Sequence, residues 1–497
     1  MSHKVLILSK SGKVYGIPDL RNYEVVQLEQ DIDLLPALAQ HRPGAIVTVG
    51  QSVPNWNLPF EWRKRWIHVE QASQITENAI GHCFFGSLHH RLDAEHPLVS
   101  FFTSTYCSGD RIMRPWKALK AQTYSNWEWV IWDDSPESDH GATFAAVLKL
   151  ADLDPRVRVY RTKHDGHIGT LKRMACGMAK GSLLVELDHD DSFHARATEW
   201  LVQAAKEHPT CQFFYTDCME VFEDNYEARH YGDGFAFGFG SQMRFWDESS
   251  SSWQVHMSVA PINDVTVTHL VGLPNHFRAW RRDFYWSIGG HSDLSVADDY
   301  DLLIRSLKSS SPVDASNWCH IMAPAYVQYF SRNGNSFTFK RNALIQHSVN
   351  WLRHMKGLQA MPVNSAPVWE RTKLSSTSDA VVERRNPCMR PLGHPKACVI
   401  FDTSVPEDAM YDKLCAIRRD FRDGLAVIEV GPAKSHRLDK VVDRLSNKNG
   451  LTWWTLQGTC KSDAHRYLKL FYGVDLPLIA DVVHDGPKDI MDLISVS

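Results

Sequence analysis

The stretch SLLVELDHDDSF, Ser182 to Phe193, changes within a few residues from apolar to strongly acidic. Its first half has the length and composition of a buried β-strand. Its second half carries Asp188, Asp190 and Asp191, and carboxylates this close repel one another unless a positive charge lies among them. An Asp-x-Asp spacing at a strand end suits a hard divalent cation, Mn²⁺ or Mg²⁺, bound through oxygen atoms. A solvated turn whose aspartates cap the next helix is the alternative.

The bulk composition indicates a globular protein with several domains. The chain has 497 residues, of which 43% are hydrophobic and 23% are charged, and its net charge of −4 gives no general attraction to nucleic acid. No apolar run reaches the roughly 18 residues of a membrane span. The apolar run near the N-terminus is too short for a signal peptide. The sequence therefore predicts a cytoplasmic protein without a membrane span.

The sequence pattern divides the chain into three domains and a linker. Residues 1–95 alternate short apolar runs with polar connections and predict a small α/β domain. Residues 96–365 form the largest predicted domain. Residues 366–395 are rich in Ser, Pro and Arg and are interpreted as a linker, and residues 396–497 predict a second small α/β domain.

Strands alternate with helices in the largest domain, which predicts a Rossmann-like, doubly wound and mostly parallel sheet. Such sheets bind ligands outside the carboxyl ends of their strands. One predicted strand ends at Thr105 and Tyr106, the next ends at Asp133 and Asp134, and a later one ends at the acidic cluster. We therefore expect these side chains at one edge of the sheet, although they are far apart along the chain.

Four segments of the chain resemble glycosyltransferase family 2 in their order and spacing, over about residues 97–350. They are VSFFTSTYCSGD, AQTYSNWEWVIWDDSPE, IGTLKRMACGMAKGSLLVELDHDD and FYWSIGGHSDLSVADDYDLLIRSL. That family consists of inverting enzymes with the GT-A fold. The resemblance implies an enzyme of the hexosyltransferase type, which moves a sugar from a nucleotide-sugar, expected to be a UDP-sugar, to a hydroxyl acceptor.

The resemblance also implies how the donor is bound. Thr105 and Tyr106 match the loop that lines the nucleotide pocket, Asp133 matches the residue that contacts the base, and Asp134 is its neighbour. The Asp-x-Asp motif of Asp188 and Asp190 would hold the metal ion and, through it, the donor, with Asp191 as the usual extra carboxylate.

Three basic residues are further candidates for donor binding. Lys172 and Arg173 stand where the family usually carries Arg and Asn near the diphosphate, so this sequence departs from the family pattern there. Arg332 is a candidate phosphate contact in a later loop that resembles one folding over the donor.

The sequence VADDYD contains the expected catalytic base. Asp298 and Asp299 match the Glu-Asp pair of the family, whose second member is the base. Inversion requires one ionised carboxylate directed at the acceptor hydroxyl. We therefore predict Asp299 as the base and Asp298 as a residue that orients the acceptor. Capping of the following helix is the alternative for both.

Two other functional classes remain open. One is a catalytically inactive protein that binds nucleotides or glycans. The other is a nucleotidyltransferase, although such enzymes generally carry a glycine-rich, basic loop after the first strand and TSTYCSGD is not such a loop. The acceptor is also left open among a glycan, a lipid-linked sugar, a protein side chain and a modified nucleic-acid base.

Overall fold

The computed structural model describes a large part of the chain, which forms two compact units. The first unit is Met1–Ser192 with Trp280–Asp298, and the second is Phe193–Ala279 with Asp299–Ser497. The described residues are 3–9, 13–21, 23–29, 34–50, 65–69, 71–77, 80, 96–162, 164, 166–227, 241–247, 251–258, 274, 276–309, 317–331, 337–357, 382–392, 395–422, 424–431, 437–448, 451–457, 461, 464–465 and 478–479.

The first unit begins with a four-stranded parallel sheet formed by the apolar runs near the N-terminus. Its elements are β1 (His3–Ser9), β2 (Tyr23–Glu29), α1 (Leu34–His41), β3 (Ala45–Val49) and β4 (Trp66–Val69). The strands lie in the order β2-β1-β3-β4 and are all parallel. Apolar side chains of β1, β3 and β4 form its core.

A second set of parallel strands follows in the same unit. Its elements are β5 (Val99–Thr105), α2 (Met113–Lys120), β6 (Trp127–Asp133), α3 (Ala142–Leu153), β7 (Val157–Arg161), α4 (Ile168–Met178) and β8 (Leu183–Glu186). The strand order is β8-β5-β6-β7. Every residue of β6 is buried, as in strands that are covered on both faces. The strands β6 and β7 are added on one side of β5, and β8 is then added on its other side. Doubly wound sheets bind ligands at such a switch point, which here lies between β5 and β8.

The second unit contains mixed strands and a C-terminal parallel sheet. The elements from Ser192 to Ser287 are β9 (Ser192–Phe193), α5 (Ala197–Glu207), β10 (Phe213–Phe222), β11 (Ser241–Asp247), β12 (Ser252–Ser258), β13 (Arg278–Arg281) and α6 (Arg282–Ser287), of which α6 belongs to the first unit. They are followed by α7 (Asp298–Leu307), β14 (Trp318–Phe330), α8 (Phe337–Met355), β15 (Val382–Arg384) and β16 (Cys388–Leu392). The last elements are β17 (Ala397–Asp402), α9 (Glu407–Asp420), β18 (Leu425–Gly431), α10 (Arg437–Asp443) and β19 (Leu451–Gln457). Within this unit, β10 and β14 are parallel, and β17-β18-β19 form a three-stranded parallel sheet.

The structure confirms the mostly parallel α/β class predicted from the sequence. One feature differs in detail from the sequence pattern. The strands β15 and β16 lie within residues 366–395, for which composition predicts a linker. No helix among the described residues is both long enough and apolar enough to cross a membrane.

Asp154 follows α3 and is held by basic side chains on both sides. Its carboxylate accepts hydrogen bonds from Arg156, at 2.7 Å from Nη2, and from Lys120, at 3.2 Å from Nζ. Burial alone raises the pKa of Asp154, but these donors outweigh burial and lower the pKa to about 2. The ionised carboxylate therefore stabilises the folded first unit.

We predict that Asp154→Asn lowers the free energy of unfolding by about 2 kcal/mol at pH 7 and has little effect at pH 2. Because the pKa is lower in the folded state, the contribution is complete above about pH 4 and is lost as the pH falls from 4 to 2. Denaturant titrations at several pH values measure it, with the exposed Asp152→Asn as the control. A loss that is equal at every pH would contradict the ion-pair explanation.

Candidate active site

The carboxyl ends of β5 and β6 meet at a buried hydrogen-bonded pair, because Thr105 lies opposite Asp133 in the sheet. Thr105 Oγ1 donates to Asp133 Oδ1 at 2.8 Å, and the hydroxyl and backbone N–H of Ser135 donate to the same oxygen at 2.7 and 3.3 Å. Oδ2 lies 3.3 Å from Nε of Arg161 but accepts no hydrogen bond from the described residues. One oxygen of Asp133 is thus fixed, and the other has acceptor capacity left.

Asp134 holds a histidine at the same edge of the sheet. Its Oδ2 accepts hydrogen bonds from His164 Nδ1 at 2.8 Å and from the backbone N–H of Gly166 at 3.2 Å. A carboxylate only accepts, so Nδ1 carries the proton of this bond. The His164 ring lies 5.5 Å from the half-exposed ring of Tyr106. The sequence pattern does not single out Arg161, at the end of β7, or His164 beyond it, because lone basic residues at a strand end form no motif.

The acidic cluster follows β8 directly. Asp188 and Asp190 are half-buried, whereas Asp191 is 2% exposed. Arg114 of α2 donates to the backbone carbonyl of Asp190 at 2.9 Å, which fixes the loop. No group in the described part of the chain pairs with the Asp190 carboxylate.

The cluster has the chemistry of a site for a hard divalent cation. Carboxylate oxygens are the ligands that Mg²⁺ and Mn²⁺ prefer. Nδ1 of His189, between the two aspartates of the motif, is buried and has no hydrogen-bond partner among the described residues. A buried nitrogen without a partner is costly unless a ligand or water completes the site. The residues present therefore fit a bound cation.

Lys172 lies inside the first unit rather than on its surface. Its Nζ is 2.5 Å from Oε1 of Glu186 and 3.2 Å from Oδ2 of Asp298. All three residues are buried, and the neighbouring Arg173 is half-buried. The sequence pattern does not single out Glu186, because it lies within the apolar strand segment SLLVEL.

The predicted base belongs to the second unit and is held by an arginine. Asp299 Oδ2 lies 2.7 Å from Nη1 of Arg278, and its side chain is 30% exposed. Arg278 is buried and its Nη2 also lies 3.1 Å from the ring of His276. That ring stacks on Tyr326 with centroids 5.0 Å apart. Arg332, the predicted phosphate contact, lies outside the described residues.

The strand order of the first unit and the polar side chains at its switch point define an α/β protein of the doubly wound, ligand-binding class. Residues 100–289 match the family model described as glycosyl transferase family 2. The chain therefore contains a domain of glycosyltransferase family 2. The parallel strand order β8-β5-β6-β7, with helices between the strands, agrees with the Rossmann-like, doubly wound sheet that the sequence predicted.

Individual proteins resemble parts of the chain. The uncharacterized protein y4gI of Sinorhizobium fredii is 31% identical over 129 residues, which are 26% of this chain and 14% of that protein. The O-antigen biosynthesis protein RfbC of Myxococcus xanthus is 21% identical over 310 residues, 62% of this chain and 21% of RfbC. The chain thus spans about a fifth or less of the length of these relatives. The crystal structure of S. aureus TarS 1–349 with UDP-GlcNAc shares 13% identity at a TM-score of 0.38, over 55% of this chain and 70% of that one.

Proposed function

We propose that the protein is a metal-dependent inverting glycosyltransferase that moves a sugar from a UDP-sugar to a hydroxyl acceptor. The main support for the proposal is the presence of two acidic sites at the switch point of the first unit. One is Asp133, whose Oδ2 accepts no hydrogen bond from the described residues, and the other is the Asp-x-Asp motif of Asp188 and Asp190. The family of the domain supports the same chemistry.

The hydrogen bonds of Asp133 favour uracil over guanine as the donor base. Three donors already occupy Oδ1, so only Oδ2 can accept a further N–H. Uracil presents one N–H between two carbonyl groups, whereas guanine presents two neighbouring N–H groups that need both oxygens of a carboxylate. Arg161, at 3.3 Å from Oδ2, can donate to a carbonyl beside that N–H. Tyr106 offers a half-exposed ring for stacking on the base.

Asp188 and Asp190 would hold Mn²⁺ or Mg²⁺, with Asp191 as a supporting carboxylate. A bound divalent cation supplies charge neutralisation for the departing diphosphate. Arg114 keeps the backbone of the motif in place through the Asp190 carbonyl.

Asp299 would accept the proton of the acceptor hydroxyl. Arg278 anchors one of its oxygens, and the other accepts a hydrogen bond from the backbone N–H of Tyr300 at 2.8 Å. A carboxylate has about four lone-pair sites, so it retains capacity for the acceptor proton. The 30% exposure of the side chain leaves it accessible to a substrate hydroxyl.

The acceptor is inferred from a relative. RfbC is named as an O-antigen biosynthesis protein, which supports a saccharide hydroxyl as the acceptor. A cytoplasmic location remains the prediction from the sequence.

We predict that Asp190→Asn lowers the hydrolysis of a UDP-sugar in Mn²⁺ at least about 100-fold, because the motif loses a charged metal ligand. EDTA is expected to abolish turnover by the unmodified protein, and Mn²⁺ to restore it. Released UDP measures both effects, and the exposed Asp152→Asn serves as the control. Full turnover in EDTA would argue against a metal-dependent enzyme.

We predict that Asp133→Asn weakens UDP binding at least about tenfold, because the amide no longer presents a charged acceptor to the uracil N–H. Thr105→Val, which removes only one donor to Oδ1, should weaken it by a smaller factor. Calorimetry with UDP and GDP measures both variants. Equal affinity of the unmodified protein for the two nucleotides would contradict the assignment of uracil.

We predict that Asp299→Asn lowers kcat by about 100-fold to 10,000-fold and leaves the affinity for UDP unchanged, since only the proton acceptor is lost. Initial rates with a saccharide acceptor and calorimetry with UDP separate the two quantities. UDP binding by the unmodified protein without turnover on a broad acceptor panel would instead favour an inactive nucleotide-binding protein.

A further inference from the structure

The ammonium group of Lys172 in α4 is buried between two carboxylates of the first unit. Nζ lies 2.5 Å from Glu186 and 3.2 Å from Asp298. The side chain of Lys172 is 10% exposed, and those of the two acids are 1% and 6% exposed. Charges buried to this degree are tolerated only beside an opposite charge. The three groups therefore depend on one another.

Each of the two acids lies at the end of an element and close in the chain to a proposed active-site residue. Glu186 is the last residue of β8, two positions before Asp188. Asp298 is the first residue of α7, directly before Asp299 in the chain. Contacts of one ammonium group with both acids therefore fix the end of β8 against the start of α7.

Backbone contacts hold α4 at the same place. The N–H of Gly169 donates to the carbonyl of Leu294 at 2.9 Å. A Cβ atom at Gly169 would lie 2.0 Å from the carbonyl oxygen of Ser292 and 2.9 Å from Cβ of Asp298. The helix that carries Lys172 is thus packed directly on the turn that leads into α7, and glycine is required there.

A histidine contacts Asp298 from another direction. Nε2 of His291 lies 3.8 Å from Asp298 Oδ2, and Nδ1 lies 2.8 Å from the hydroxyl of Tyr285. His291 and Tyr285 are fully buried. Asp298 is therefore enclosed by Lys172 and His291, which leaves it 4% exposed.

We propose that Lys172 is a positioning residue that fixes the carboxylate-bearing ends of β8 and α7, and that it does not contact the donor diphosphate. The proposal rests on the proposed function and deepens it, because it also gives Asp298 a role through Lys172 rather than direct contact with the acceptor. To reach a phosphate, the ammonium group would have to leave Glu186 and Asp298. The two buried carboxylates would then both lose their ion pair with Lys172, and breaking a buried ion pair is strongly unfavourable.

The test is a comparison of Lys172→Met, Lys172→Met/Glu186→Gln and Lys172→Arg. We expect Lys172→Met to lower kcat for UDP-sugar hydrolysis at least about tenfold, because the catalytic groups lose their placement. The affinity for UDP in Mn²⁺ and the KM of the donor should stay within about twofold, because no phosphate contact is lost. The double variant should recover part of kcat, since one of the two carboxylates that lost the ion pair with Lys172 is then neutral. Lys149→Met, an exposed lysine on α3, is the matched control and should change nothing.

Two results of the activity and binding measurements would overturn the proposal. One is a tenfold or greater loss of UDP affinity in Lys172→Met with kcat unchanged, which would mean a diphosphate contact. The other is a double variant no more active than the single one. If Lys172→Met does not fold, Lys172→Arg and the double variant carry the same comparison of kcat with UDP affinity.

Failure of the proposed function gives a different result, since the unmodified protein would then show no turnover. Calorimetry with UDP still distinguishes a positioning residue from a phosphate contact in that case. The thermal unfolding midpoints test the ion pair independently of activity. The single variant should unfold at a lower temperature than the double variant, and the reverse order would overturn the proposal.

Discussion

Repulsion among carboxylates at the ends of parallel strands is the constraint on which the first unit depends. Four of the buried acids near this edge have compensating neighbours: Thr105, Ser135 and Arg161 surround Asp133, His164 and Gly166 contact Asp134, and Lys172 lies beside both Glu186 and Asp298. The half-buried Asp190 differs, because within the described ranges no side chain pairs with its carboxylate. A bound cation would supply beside Asp190 the compensation of negative charge that protein groups supply beside the other acids.

The register of the buried strands determines which groups can meet at this edge. Thr105 lies opposite Asp133, and Phe102 lies opposite Glu186. A shift of one residue would turn every side chain to the other face of the sheet, so the apolar residues that fix the register also fix the site. Polar groups inside the sheet support the same register, since the Thr103 hydroxyl donates to the carbonyl of Leu187 at 2.7 Å. The polar site therefore depends on apolar packing.

The sequence was sufficient to predict the alternation of strands and helices and the edge where Thr105 and Asp133 meet, because periodicity and parallel topology determine both. The sequence was not sufficient to predict contacts between side chains that are far apart in the chain and buried inside the first unit. Glu186 looked like one polar residue in an apolar strand, and nothing in the spacing joins it to Lys172. Nor does the sequence pattern show why residue 181, beyond the end of α4 at Met178, is a glycine. A Cβ at Gly181 would lie 2.4 Å from the carbonyl oxygen of Leu98, so close packing explains this glycine.

Buried arginines explain why the segment before the C-terminal strands resembles a linker in composition. Arg390 in β16 donates to the carbonyl of Trp453 at 2.6 Å and to Nδ1 of His320 at 2.9 Å. Because arginine only donates, Nδ1 of His320 accepts and its Nε2 carries the proton donated to Asp217 at 2.8 Å. Burial lowers the pKa of His320, which keeps the ring neutral in this role at pH 7.

Arg384 in β15 makes an equivalent link, since its Nη1 lies 2.7 Å from Asp443 at the end of α10. Both arginines are buried and interrupt the apolar pattern of a strand, and each has acceptors that offset part of the cost of burying its charge. The strand β15 pairs with β11 and contacts α10, and β16 pairs with β14 and contacts β19, so both strands connect parts of the second unit through polar contacts. Any domain boundary proposed within residues 366–395 should therefore lie before Val382, so that both strands stay with the second unit.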